Sequence, residues 1–194
     1  MRKNGNAAGG IGPEGRETTV SIEALLDDDG SDARFRQLIY DLLSISTQMQ
    51  AVRAAIGRLI GLTGAQYSVL MAVSHLARMG EPVTVSRLAE HLHVSGTFIT
   101  AEARKLAALG LIEKGANPID GRSVLLQLTQ SGDAKLREVT PIVRRLNDEI
   151  FRNFDQGAFE AVAPRIADLA LTFGDALALT EQLERSRRRR ARER

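Results

Sequence analysis

The sequence predicts a mainly α-helical protein with one small β-hairpin, and two periodicities support this fold class. Over most of the chain, apolar side chains recur three or four residues apart, as they do along one face of an α-helix. In residues 124–128 the period falls to two, which places Val124, Leu126 and Leu128 on one side of a strand. With 194 residues, 43% of them hydrophobic, the chain is expected to form one domain, or one domain with an appendage.

The composition excludes several classes of site. The chain has no Cys, which excludes disulfides, thiolate metal sites and a cysteine nucleophile. It has no phosphate-binding loop, no metal-ligand spacing and no Ser-His-acid grouping, so neither an enzyme nor a bound cofactor is expected. No apolar run approaches the roughly 18 residues of a membrane-spanning helix, and the N-terminus lacks the apolar core of a signal peptide. A cytoplasmic protein is therefore expected.

The net charge of +2 conceals an uneven distribution. Residues 184–194 contain seven Arg and two Glu, whereas residues 1–33 contain three Lys or Arg and seven Asp or Glu. The pI of 9.3 therefore reflects mainly the C-terminal end. We expect residues 1–30 to be a flexible extension and residues 184–194 a basic tail. The tail either raises the non-specific affinity for nucleic acid or is a disordered, solubilising end.

Long amphipathic helices are predicted at both ends of the folded region. The first covers residues 31–62, with an apolar seam of three-four spacing that Gly61 ends. Two further seams lie within residues 133–183 and are interrupted at Gly157. Such seams are typical of helices that pack against other long helices. A single chain of this size is not expected to bury three of them within itself. Residues 31–62 and 133–183 are therefore predicted to form a homodimer interface.

The middle region, residues 63–132, predicts helix, turn, helix and hairpin. One helix begins at a threonine cap and ends at Gly80, and a short helix follows at residues 85–92. After a break at residues 93–94, Ser95 is placed to cap a further helix that Gly110 closes. The buried residues of this region are predicted to be Leu88, Ala89, Leu92, Val94, Ile99, Ala103, Leu106 and Leu111.

The helix that begins at Ser95 turns small and hydroxyl-bearing residues outward, including Ala101. A DNA major groove admits such a face, since Ser and Thr bond base edges or phosphates and a helix N-terminus directs free N–H groups at phosphate oxygens. Arg104 and Lys105 would reach the phosphate backbone. Alternatively, the two threonines are ordinary solvated residues. The predicted DNA-contacting residues of this helix are Ser95, Gly96, Thr97, Thr100, Arg104 and Lys105.

The predicted hairpin has strands at residues 111–116 and 123–129, joined by the turn NPIDGR. Its turn carries Asp120 two residues before Arg122, so the carboxylate can hold the guanidinium in a charge-assisted hydrogen bond. A two-stranded wing beside a recognition helix can lie along the minor groove, where a narrow A·T-rich groove attracts arginine. Alternatively, Arg122 is a surface turn residue that only pairs with Asp120.

The segment VSRLAEHLHVSGTFITAEARKLAALGLIEK, followed by NPIDGRSVLLQLTQSG, resembles the winged helix-turn-helix of the MarR family of bacterial transcription regulators. LTGAQYSVL (62–70) is also similar to the start of the family's second helix, and the resemblance spans about residues 32–180. The family pattern is an Asp-x-Arg wing, alternating apolar residues and Leu-Thr-x-x-Gly. Its positions here are Asp120, Arg122, Leu128, Thr129 and Gly132.

The resemblance implies an obligate homodimer whose two winged modules read a pseudopalindromic operator in double-stranded DNA. It also implies a repressor that a small molecule, often an aromatic carboxylate or a related anion, releases from DNA. The chain departs from the pattern at Asn117 and Gly121, where many members have Asp and Arg, so the wing has one basic residue fewer. Without Cys, the thiol switch of some relatives is excluded.

The resemblance also implies an effector pocket where the first helix, the second helix and the winged module meet. The candidate effector-binding residues are Tyr40, Tyr67, His75 and Arg78, with plain packing as the alternative for each. No metal is expected, since His91 and His93 are two residues apart, which is roughly 200° around a helix. A different class of function stays open: a winged-helix module that binds a protein partner, which predicts no response to DNA at low salt.

Overall fold

The computed structural model describes residues 17–117 and 123–192, and it confirms the mainly helical fold with one small β-hairpin. A short 3₁₀ helix, Glu23–Leu25, precedes the first long helix. The elements that follow are α1 (Ala33–Leu59), α2 (Gly64–Arg78), α3 (Val85–Leu92), α4 (Gly96–Ala108), β1 (Ile112–Ala116), β2 (Val124–Leu128), α5 (Gln130–Ile150) and α6 (Gln156–Arg192).

The described residues divide into two compact units at the bond between Pro141 and Ile142, within α5. The first unit holds the core, in which α2 contacts α1, α3, α4 and β2. The most deeply buried side chains are all aliphatic, as expected for a chain with only 4% aromatic residues. The largest fully buried side chains are Leu70, Leu76, Leu88, Ile99, Leu106, Leu126, Val69, Val73 and Val139.

The predicted helix caps are confirmed by their hydrogen bonds. The Thr63 hydroxyl accepts from Gln66 N at 3.2 Å while the Gln66 side chain accepts from Thr63 N at 2.8 Å, a reciprocal pair that starts α2. The Ser95 hydroxyl accepts from Phe98 N at 3.2 Å at the start of α4. Each such cap stabilises its helix by about 1 kcal/mol. Local sequence therefore determines where these helices begin.

The break between α3 and α4 depends on His93, which ends α3 in the left-handed conformation with φ of 53°. That reversal carries Val94 toward solvent, where it is 36% exposed. The prediction that Val94 is buried is therefore wrong, because a residue in the turn no longer follows the helical period of its neighbours.

The break before α6 lies at residues 151–155 and not at Gly157 as predicted. Gly157 is in the first turn of α6, where the Asp155 carboxylate accepts from Ala158 N at 2.7 Å. Phe151 and Phe154 pack edge to face in the break, with ring centroids 5.3 Å apart. The Asp155 cap therefore sets the start of α6.

Residues 17–32 fold back onto the start of α1, although the sequence predicts a flexible extension there. Both the backbone N–H and the hydroxyl of Thr19 donate to one oxygen of the buried Asp32 carboxylate at 2.6 Å, and Arg36 Nε donates to the other at 2.7 Å. These donors, Thr19 above all, lower the pKa of Asp32 to about 2. An ion pair between Asp27 and Arg34 supports the same turn.

At the other end, α6 continues as a helix through Arg192, so residues 184–192 are helical and not a disordered tail. Two ion pairs join successive turns there, Arg185 to Glu181 at 3.6 Å and Arg188 to Glu184 at 3.7 Å. Exposed pairs of this spacing stabilise a helix by about 0.3–0.5 kcal/mol each. The glutamates thus partly offset the repulsion among the arginines.

Both α1 and α6 leave large apolar side chains exposed. Examples on α1 are Leu38, Leu43 and Met49, and none of the described residues of α6 is buried. No single helix in the described part of the chain is both long and apolar enough to span a membrane; α1 and α2 reach that length and composition only together, across a bend of 90°.

The hairpin is tied to the rest of the first unit at both of its ends. In its antiparallel register Ile112 lies opposite Leu128, and Leu126 N donates beyond the hairpin to Val83 O at 2.8 Å. At the base, Thr129 Oγ1 donates to Gly110 O at 2.6 Å and accepts from Gly132 N at 3.1 Å. The Leu-Thr-x-x-Gly sequence therefore joins the end of α4 to the start of α5.

We expect Gly132→Ala to lower the free energy of unfolding by about 1–3 kcal/mol, the usual cost of overpacking. A Cβ at Gly132 would lie 2.0 Å from Leu111 O, so the backbone has to move. Gly174→Ala is the matched control in a helix, because its Cβ would meet no atom within 4 Å. Removing that glycine should leave stability unchanged or raise it by up to about 1 kcal/mol. Urea unfolding at one protein concentration measures both, and equal midpoints would contradict the packing described.

Candidate nucleic-acid interface

One face of α4 is exposed and carries short polar side chains with one arginine. Thr97, Thr100, Ala101 and Arg104 are all exposed, and their spacing places them on a single face of the helix. The opposite face is held in the core by Ile99, Ala103 and Leu106, each buried. The structure thus brings together the residues that the sequence predicts on the outer face, with Gly96 half-buried at its start.

The hydroxyl groups of this face are partly engaged within the helix. The oxygen of Ser95 caps α4, as described above, and Thr100 Oγ1 donates to Gly96 O at 2.8 Å. Because Thr100 is exposed and its oxygen keeps its acceptor lone pairs, it can still accept from a base amino group. Thr97 is exposed at the start of the helix, where the first N–H groups can reach an anion.

The two basic residues of α4 differ in their surroundings. Lys105 Nζ lies 2.7 Å from Glu102 Oε1, and the Glu102 side chain is only 8% exposed. Arg104 has no acidic partner among the described residues. Glu102 was missed by the sequence reasoning, although its spacing from Ile99 and Leu106 places it on the buried side of the helix. Phe98, exposed beside this face, was missed as well.

The predicted wing residues Asp120 and Arg122 lie outside the described residues, so their roles stay predictions. The described residues on either side of them meet across the hairpin. Asn117 Nδ2 donates to Ser123 Oγ at 2.7 Å, just beyond the last strand pair, Ala116 with Val124. The two strands therefore position residues 117 and 123 next to each other.

A pocket of about 300 Å³ lies between α1, α2 and α3. Tyr67 forms a buried wall of this pocket at 4% exposure, and burial raises the pKa of the Tyr67 hydroxyl. Arg53 supplies a cation from α1, and none of the described lining residues is acidic. The lining residues are Arg53, Tyr67, Ser68, Met71, Ala72, His75, His91 and Leu92.

Two of the four predicted effector residues, Tyr67 and His75, line this pocket. The other two do not: Tyr40 is 68% exposed on α1, and Arg78 donates to the buried Ser74 hydroxyl at 2.7 Å. Arg53 and His91 belong to the pocket but were missed. Arg53 lies on α1 and His91 on α3, and only the packing of these two helices against α2 shows that both residues line the pocket.

His91 is exposed and stacks on His75, with ring centroids 5.3 Å apart and ring planes inclined by 26°. The pKa of His91 is lowered, first by burial and then by the charges of His75 and Arg87. Glu81 opposes that change and is itself bound by Arg87, whose Nε donates to it at 2.6 Å. Within the described residues no three potential metal ligands come together.

Comparisons with known proteins agree with this geometry. Residues 60–123 match the model of the MarR family. The helix-turn-helix transcriptional regulator YdcH of Bacillus subtilis is 33% identical over 90 residues, which are 46% of this chain and 61% of YdcH. The alignment thus spans less than two thirds of that relative.

Solved structures extend the similarity over most of the chain. The transcriptional regulator BldR of Sulfolobus solfataricus has a TM-score of 0.59 and 25% identity, covering 71% of this chain and 95% of BldR. The M. tuberculosis regulator MOSR, solved in complex with DNA, has a TM-score of 0.55 and 25% identity, with 71% and 96% covered. The predicted resemblance to the MarR family is confirmed.

The raised pKa of Tyr67 predicts a pH dependence of stability. The folded state favours the protonated hydroxyl of Tyr67. This group therefore contributes its full stabilisation of the fold below the unfolded pKa of about 10, and the contribution is lost as pH rises through the higher folded pKa. Absorbance at alkaline pH should show a late tyrosinate transition that Tyr67→Phe removes. The control Tyr40→Phe changes an exposed ring and should retain it. A late transition that survives Tyr67→Phe would contradict the burial described here.

Proposed function

We propose that this chain, a winged helix-turn-helix protein of the MarR type, is a sequence-specific DNA-binding transcriptional regulator that acts as a cytoplasmic homodimer. The exposed face of α4 carries the proposal: its outer side chains fit a major groove, while its inner side is fixed in the core. The DNA bound to the similar regulator MOSR supports this assignment.

In the proposed complex each part of residues 63–132 has a separate role. Thr97 and Thr100 contact base edges or phosphates, and Arg104 contacts the phosphate backbone. The wing arginine, Arg122, enters the minor groove beside the site of α4. Because the hairpin is hydrogen-bonded to Val83 at one end and to Gly110 at the other, both contacts would move as one body.

The exposed apolar residues of α1 and α6 support a homodimer. A single chain leaves Leu38, Leu43, Phe159, Ile166 and Phe173 in water, on the two helices with heptad-like seams. Burial of such seams against a second copy provides a hydrophobic interface of the coiled-coil type. Two winged modules then present two copies of α4 to the half-sites of an inverted repeat.

The pocket between α1, α2 and α3 supports control by a small anion. A ligand there contacts α1, proposed for the dimer, and α3, the first helix of the helix-turn-helix. Its differential affinity for two arrangements of these helices would shift their populations, and a coupling of about 1–3 kcal/mol changes DNA affinity about 5- to 150-fold. We propose a repressor that an aromatic acid or a derivative releases from its operator.

Selection of bound sequences from a random duplex pool at about 150 mM salt tests the regulator. We expect the wild type to enrich an inverted repeat, and Arg122→Ala to bind it more weakly by about 1–3 kcal/mol. The control is Arg152→Ala, which removes an exposed arginine paired with Glu149 in the second unit and should bind normally. If no motif is enriched, a winged-helix module that binds a protein partner becomes the better proposal.

Benzoate, the simplest aromatic carboxylate, tests the pocket. We expect benzoate to weaken operator binding by the wild type and by Arg58→Gln, which changes an arginine of α1 outside this pocket. Arg53→Gln should abolish the effect, because Arg53 is the guanidinium among the lining residues. Benzyl alcohol, which has the ring without the charge, should have little effect. An equal response of the Arg53 variant to benzoate would place the ligand elsewhere.

A further inference from the structure

We infer that Glu102 is a positioning residue that withholds Lys105 from the DNA backbone and so limits the affinity of α4 for DNA of arbitrary sequence. This inference rests on the proposed DNA-binding function. It differs from the expectation that both Arg104 and Lys105 contact phosphate, because it leaves Arg104 as the phosphate-binding cation of the helix.

The geometry of the pair supports this role. Glu102 Oε1 accepts from Lys105 Nζ at 2.7 Å, one helical turn along the same helix. The Glu102 side chain is 8% exposed and the Lys105 side chain 57%, so a buried acid binds the ammonium group of a largely solvated lysine. Within the described part of the chain, Lys105 is the only hydrogen-bond partner of the Glu102 side chain.

Burial makes this ion pair difficult to exchange for a phosphate. A surface pair costs little to break, because water solvates both charges, whereas a buried carboxylate that loses its counter-ion stays poorly solvated. For Lys105 to move to a phosphate, Glu102 must remain charged in a largely apolar setting beside Ile99 and Leu106, which flank it on the buried face. The lysine therefore stays with the acid.

The consequence for DNA binding is a lower affinity for DNA of arbitrary sequence. Each phosphate that a protein neutralises steepens the fall of log K with log salt by about 0.9 in B-DNA. A lysine bound to Glu102 adds nothing to this term, so α4 contributes through Arg104 alone. Lower affinity for random sequence matters to a regulator, because a genome offers a vast excess of competing sites.

The salt dependence of binding to a random-sequence duplex tests the inference with four variants of the full-length protein: Glu102→Gln, Lys105→Gln, the double variant and Arg104→Gln. Glu102→Gln keeps the shape of the side chain but removes its charge. We expect it to bind random duplex more tightly and to steepen the salt slope by about 0.9 for each α4 that contacts the duplex. Lys105→Gln in the wild-type background should leave the slope unchanged.

The double variant should show the wild-type slope, because the charge that Glu102→Gln frees is then absent. Arg104→Gln is the matched control on the same helix, and it should reduce the slope by about 0.9 for each contacting α4. This pattern separates a charge effect from a folding defect, since a purely structural role of Glu102 would not depend on the presence of Lys105.

Two outcomes would overturn the inference, and a folding defect of Glu102→Gln would leave the test intact. If Lys105→Gln alone reduces the slope as much as Arg104→Gln does, Lys105 already contacts phosphate and the inference fails while the proposed function stands. If Glu102→Gln unfolds the protein, the Lys105 and Arg104 variants still decide in the same way. If the wild type binds no duplex at low salt, the proposed function fails, and the inference fails with it.

Discussion

The junction of Thr129 and Gly132 with the end of α4 is the constraint on which the winged module depends. Thr129 donates to Gly110 O and accepts from Gly132 N, and its own N–H donates to Leu111 O. The Leu111 carbonyl approaches Gly132 so closely that no side chain fits between them. Four segments are thereby held together: the end of α4, the start of β1, the end of β2 and the start of α5. This fixes the hairpin relative to α4.

The second constraint lies at the other side of the module. Leu126 N donates to Val83 O, and Thr84, the cap of α3, forms a bridge with Leu125. The hairpin thus contacts the residues that begin α3 as well as those that end α4. A two-stranded hairpin is marginal by itself in water, so these ties and the burial of Leu126 explain how its two short strands are held in the fold.

In the first unit, some cations are paired with acidic residues and others are not. Lys105 is compensated by Glu102, and Arg87 is compensated by Glu81 and Glu90, whereas Arg104 and the pocket residue Arg53 have no acidic partner among the described residues. Positive charge thus stays available at the proposed phosphate contact and in the proposed anion pocket. The acidic residues within 17–32 are likewise partly compensated, as in the Asp32 and Arg36 pair.

The sequence by itself determined the fold class, the helix starts at Thr63 and Ser95, the hairpin strands and the outward face of α4. These features follow from interactions over at most a few residues: caps, turns and the periods of helix and strand. Only the tertiary structure decided which distant side chains meet, since Arg53, Tyr67 and His91 share a pocket through the packing of three helices. The same holds for Glu102, whose effect on Lys105 depends on its burial. The spacing of Glu102 from Ile99 and Leu106 places it on the inner side of α4, but how deeply it is buried depends on the elements that pack against that side in the assembled core.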